Sequence, residues 1–100
     1  MNVTLKKYKQ IAPVVLRRLG YAPYINKEGE QSFVRRPHGT EFPRYHLYVQ
    51  EEDDTMMRCS LHLDQKAPSY MGSRAHGGDY ESEAVQRELE RMHGLNIPSN

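Results

Sequence analysis

Hydrophobic positions follow two rhythms along the chain. From Leu5 to Leu19 they recur at intervals of three and four. Leu5, Tyr8, Ile11, Ala12, Val15, Leu16 and Leu19 fit one helical face, with Lys6, Lys7, Lys9, Gln10, Arg17 and Arg18 on the other. Thr4 is placed to cap such a helix and Gly20 to end it. Pro13 removes a donor and crowds the preceding turn, so the pattern predicts a kink there, or a second short helix starting near it. Between residues 42 and 65 the period becomes two. Tyr45, Leu47 and Val49 share one side of a strand over 42–49; Met57, Cys59, Leu61 and Leu63 share one side of a strand over 56–65. The acidic turn 51–54 joins them. A slip of one residue would strand one apolar set in water, so both sets belong on the same face.

Before this hairpin, residues 21–25 and 32–36 read as two shorter β segments around a turn at Gly29, the first an edge strand because of Pro23. Residues 37–41 read as a loop, and 66–78, rich in Gly and Ser, as a long connection. Asp79 then caps a helix over 80–93 ended by Gly94, with Tyr80, Ala84, Val85, Leu89 and Met92 as its apolar stripe and Glu83–Arg87 as a supporting pair. The expected fold is α+β: a three- or four-stranded antiparallel sheet, with an N-terminal and a C-terminal helix packed on one face. One domain covers 1–97, and 98–100 form a frayed tail. In element order alone, helix–strands–helix resembles double-stranded-RNA-binding domains and HicA-type ribonuclease toxins.

Composition narrows the classes. One hundred residues make one small core. A single Cys excludes a disulfide framework and a thiolate zinc cage, and suits a reducing cytoplasm. No apolar run reaches the roughly 20 residues of a membrane span. The net charge of +1 conceals polarity: residues 1–50 carry net +6 and residues 51–100 net −5. Such halves either attract each other within the fold or offer two different binding faces.

The forced hairpin register gathers Arg44, His46 and Tyr48 beside Arg58, Ser60, His62 and Asp64 on the face away from the core. Three chemistries fit these residue types. His46 and His62, flanked by arginines, suit general acid and base catalysis in a metal-independent, ribonuclease-like reaction. His62 and Asp64, with His76 from the following loop, have the donor types of a metal site. Arg44, Tyr48 and Arg58, with Tyr70 and Arg74 from the loop, suit recognition of a partner. The leading expectation is a cytoplasmic binding or regulatory module that works through this face and the 66–78 loop. Its partner is a protein or a second copy of the chain, and no membrane or cofactor is involved. RNA binding without cleavage is an alternative, since Tyr48 offers a ring to stack on and basic residues cluster in the first half. Phosphate-loop, nucleophile-elbow and dinucleotide motifs do not occur.

Overall fold

The computed structural model describes residues 1–65 and 77–98, with backbone only for 77–80. Five strands and two helices follow in the order β1 (Asn2–Lys6), α1 (Ala12–Arg18), β2 (Ala22–Ile25), β3 (Gln31–Arg35), β4 (Arg44–Glu52), β5 (Met56–Asp64) and α2 (Gly77–Leu95). The strands form one antiparallel sheet in the order β1-β5-β4-β3-β2. Both helices lie against the same face. Val15, Leu16 and Leu19 of α1 and Ala84, Val85 and Met92 of α2 join Val3, Leu5, Phe33, Leu47, Met57, Cys59, Leu61 and Leu63 of the sheet in one buried cluster.

The α+β class is as expected, but the strand count is five and the N-terminus differs. Residues 2–6 form β1, an edge strand on β5, instead of the first turn of a helix. Val3 and Leu5, two apart, point into the core, while Asn2, Thr4 and Lys6 are exposed. Five residues with apolar positions at 3 and 5 satisfy a strand as well as a helix, and the exposed edge of β5 decides the matter. Tyr8 and Lys9 then take positive φ (51° and 63°) and turn the chain. Pro13 stands in the first turn of α1, where a missing N–H costs nothing, so the helix starts at Ala12 with no kink at Pro13. This added strand also removes the resemblance to a helix–strands–helix order.

Gly20 ends α1 at φ 96°, and Tyr21 N–H returns to Leu16 O at 2.9 Å. A side chain at position 20 would also press on Arg35 Cδ at 3.0 Å. At the other end of the chain α2 starts earlier than expected, at Gly77, so Gly77, Gly78 and Asp79 are helical, and it runs through Gly94 to Leu95.

The helix side holds one polar cluster that periodicity does not announce. Glu88, 3% exposed, accepts from Tyr21 Oη (2.7 Å), from Arg35 Nε and Nη2 (2.8 and 2.6 Å) and from Arg91 Nε and Nη2 (2.9 and 2.8 Å). Burial pushes its carboxyl up, but the bonds from Arg91, Arg35 and Tyr21 outweigh it and bring the group down to about 2. Burial, then the bond to this carboxylate, drives the Tyr21 phenol far above its ordinary range.

Ion pairs also account for part of the charge polarity. Lys7 pairs with Glu52 (2.9 Å), Arg35 with Glu88 (2.6 Å) and Arg44 with Asp64 (3.1 Å), each joining a base from the first half to an acid from the second. In the acidic turn, Asp53 Oδ1 accepts from Thr55 N, Thr55 Oγ1 and Met56 N. These bonds hold its carboxyl below the usual carboxylate range.

Candidate functional site

The face away from the helices is built by the hairpin register that the alternation requires. Tyr45 pairs with Leu63, Leu47 with Leu61 and Val49 with Cys59 on the core side; Arg44 pairs with Asp64, His46 with His62 and Tyr48 with Ser60 on the outer side. After Val49 a register shift brings Glu51 opposite Arg58. Extending the alternation through Val34↔His46 and Tyr24↔Ser32 adds Ser32 and Val34 of β3 and Tyr24 of β2 to the same outer face.

At its centre lies a hydrogen-bonded chain of four side chains. Arg44 Nε donates to Asp64 Oδ2 at 3.1 Å, His46 Nδ1 meets the same oxygen at 2.8 Å, and His46 Nε2 meets Ser32 Oγ at 2.6 Å. A carboxylate only accepts, so the proton belongs on Nδ1. Nε2 shares its bond with the Ser32 hydroxyl. Tyr24 O lies 3.3 Å from the same hydroxyl and offers it an acceptor. Ser32 and His46 are 3% and 8% exposed, although neither of the described helices covers this face. Their neighbours shield them. Tyr24 meets the His46 ring edge-on (5.7 Å between centroids), Tyr48 stacks on it (4.5 Å, 22°), and the Arg44 guanidinium lies over the rings of Phe42 and Tyr24 (4.7 and 4.9 Å). Burial works against the Arg44 charge, yet the bond and charge of Asp64 hold the guanidinium above its ordinary value. Burial, then the Asp64 charge, pushes the Tyr48 phenol up.

Toward β1 the face opens. Tyr48 is 38% exposed and meets the exposed His62 ring edge-on at 6.0 Å. His62 Nε2 bonds Ser60 Oγ at 2.9 Å, and Arg58 turns to Glu51. Rings therefore run in series from the half-buried Tyr24 through the buried His46 and on to Tyr48 and His62, which reach solvent.

Hence Arg44, His46, Tyr48, Arg58, His62 and Asp64 share one face, but their partners divide them. Asp64 binds Arg44 and His46, whereas His62 binds Ser60. Tyr48 stands in ring contact with both imidazoles. Among the described residues no three His, Cys, Asp or Glu side chains converge as metal ligands. Tyr70, Arg74 and His76 lie outside the described residues. Hairpin reasoning missed Tyr24, Ser32 and Phe42. The first two could have been found by carrying the alternation across to β3 and β2, because Val34 faces His46 and Ser32, two residues before it, faces Tyr24. Phe42, expected within the strand over 42–49, lies in the loop before β4, which starts only at Arg44.

Serine, imidazole and carboxylate in this order have the connectivity of a nucleophile, its base and the orienting acid. Reaction also requires access to the hydroxyl and a donor aimed at developing negative charge. Ser32 is buried in the middle of the β2–β3–β4 ladder, and the chain of bonds works instead as a clamp that fixes the Tyr48 ring. Among the described residues, no helix is long and apolar enough to cross a membrane. Comparison with protein-family models, with curated proteins and with solved structures finds no match for this chain.

Proposed function

We propose that the chain is a non-catalytic binding module that docks a partner protein across the open part of its outer sheet face. One observation carries this reading: the ring series ends in Tyr48 and His62, which reach solvent, while the imidazole beneath them, His46, has both nitrogens engaged and is 8% exposed. A general base needs a nitrogen within reach of substrate, and both His46 nitrogens are held by Asp64 and Ser32 at a buried position. A recognition surface needs rigid, partly exposed aromatic rings with their rotamers held from behind, which Tyr48 has. Arg58 borders this patch.

A photo-crosslinking residue placed at position 48 tests the reading against one at Gln86 on the exposed side of α2. A single adduct formed from position 48 and lost in His62→Ala is the expected result; equal adducts from both positions refute it. Labelled RNA incubated with the chain, with and without chelator, is expected to stay intact. Cleavage that disappears in His46→Ala would replace the proposal with the ribonuclease reading.

RNA binding without cleavage keeps one observation in its favour. Lys7, Arg35, Arg44, Arg58 and Arg91 are engaged in ion pairs, whereas Arg17, Arg18 and Arg36 have none among the described residues. Affinity for single-stranded RNA that falls steeply with salt would support it.

A further inference from the structure

The two edges of the sheet are unequal. β2, on one side, is four residues long and carries Pro23, which has no N–H to offer an added strand. β1, on the other side, has no proline. The direction of its backbone groups can be read from its ends. Met1 exchanges bonds with Leu61 (Met1 N to Leu61 O, 3.1 Å; Leu61 N to Met1 O, 2.7 Å), and Lys7 N reaches Thr55 O at 2.8 Å. Odd-numbered residues therefore point at β5. Lys6 points the opposite way: its N–H donates to Asn96 Oδ1 (2.8 Å) and its carbonyl accepts from Asn96 Nδ2 (3.0 Å). Because an antiparallel strand alternates in this respect, the N–H and C=O of Asn2 and Thr4 also point away from β5. They meet no partner among the described residues.

Asn96 imitates one residue of a neighbouring strand and ends the free edge at Lys6. On either side of it Leu95 and Ile97 are 49% and 62% exposed, and at the far end of β1 Met1 is 45% exposed. We propose that a second copy of this chain adds its β1 to this edge, antiparallel about a two-fold axis at Val3, joining the two sheets into one.

In this register Asn2 of each copy faces Thr4 of the other and exchanges both backbone bonds with it. Val3 meets Val3, and Leu5 meets Met1. No like charges oppose each other, and the exposed apolar tail around Asn96 comes beside the other copy's exposed Met1. A register centred on Thr4 would bring Asn2 against Lys6 and displace Asn96, so the side-chain cap selects Val3. Val3 and Leu5 are already covered by their own copy, so the occupant is a second copy because Asn2 and Thr4 satisfy each other's outward backbone groups and the exposed Met1 of one copy meets the exposed Leu95 and Ile97 of the other. The proposal uses the sheet edge and is independent of the outer-face reading.

Sedimentation equilibrium of the untagged chain is expected to show a reversible dimer. Asn2→Lys with Thr4→Lys sets lysine against lysine in both pairs, and is expected to weaken the dimer at least about tenfold while each monomer melts as before. Asn2→Lys with Thr4→Glu sets lysine against glutamate in both pairs and restores association. A wild-type chain that stays monomeric at every concentration overturns the proposal. So does a dimer of equal strength in all three chains, since its interface must then lie elsewhere.

Discussion

Replacing Glu88 by Gln removes one charge from a site where two guanidiniums and a phenol converge. Glu88 is 2% exposed at its side chain, against 23% for Arg35 and 32% for Arg91. Glutamine keeps one acceptor oxygen, but its amide N–H groups then face guanidinium donors, and the Arg35 bond pair loses one arm. The carboxyl titrates at about 2 in the folded chain against 4.5 ordinarily. At about 1.4 kcal/mol per tenfold, the ionised form contributes about 3 kcal/mol relative to the protonated one. Loss of one partner from a buried ion pair falls in the same range, about 3–5 kcal/mol. In a domain of this size that corresponds to a fall in Tm of roughly 10–20 °C.

The pH dependence has a definite sign. Above 4.5 the carboxyl is ionised in both folded and unfolded chains, and its whole contribution is present. Between 4.5 and about 2 the unfolded chain takes up the proton first, so the contribution drains away as pH falls, and below about 2 it is gone. Urea unfolding of wild type and Glu88→Gln, followed by circular dichroism at pH 7 and pH 3, measures both quantities. The gap is expected to be about 3 kcal/mol at pH 7 and to narrow at pH 3. A gap below about 1 kcal/mol at pH 7, or one that does not close in acid, refutes the reasoning.

The remaining predictions concern the sheet. Ser32→Ala leaves His46 Nε2 without its partner at a buried site and is expected to cost about 1–3 kcal/mol in urea unfolding, with a neutral result removing the clamp. Burial, then the Glu52 charge, pushes the Cys59 thiol up to about 12, so at pH 8 it is expected to react with a disulfide reagent only after urea is added. Immediate labelling of the folded chain would contradict its position. Leu47→Ala, at a fully buried position facing both helices, is expected to cost about 2–5 kcal/mol, whereas Tyr48→Ala, next in sequence but on the outer face, is expected to melt much closer to wild type. Equal losses would mean that the face is covered.

Legibility in the sequence tracked how much of each element's pattern was local. The β4–β5 hairpin was readable because Tyr45, Leu47 and Val49 and then Met57, Cys59, Leu61 and Leu63 repeat often enough to exclude a helix, and because one acidic turn joins them. Leu5 to Leu19 misled for the opposite reason. Seven apolar positions fitted one helical arc, although they belong to a strand, a left-handed turn and a short helix that starts at Ala12. The outer face was legible as a set of side chains, since the face of each residue follows from register. Its internal bonds were not. Whether Asp64 turns to His46 or to His62 depends on rotamers and on Ser32, fourteen residues before His46 in the chain.

By itself, then, the sequence determined that the fold is α+β, that an antiparallel hairpin lies at its centre and that the polar residues of that hairpin share one side, because alternation along a strand is a local property. Tertiary structure alone decided the fate of the first six residues, which became a strand because β5 offered an edge and core space for Val3 and Leu5. It also decided which charges neutralise each other. Glu88 gathers Tyr21, Arg35 and Arg91 from three segments, and no spacing within any of them encodes that meeting. Desolvation makes such a group costly unless every partner arrives, so its chemistry exists only once the fold has brought them together.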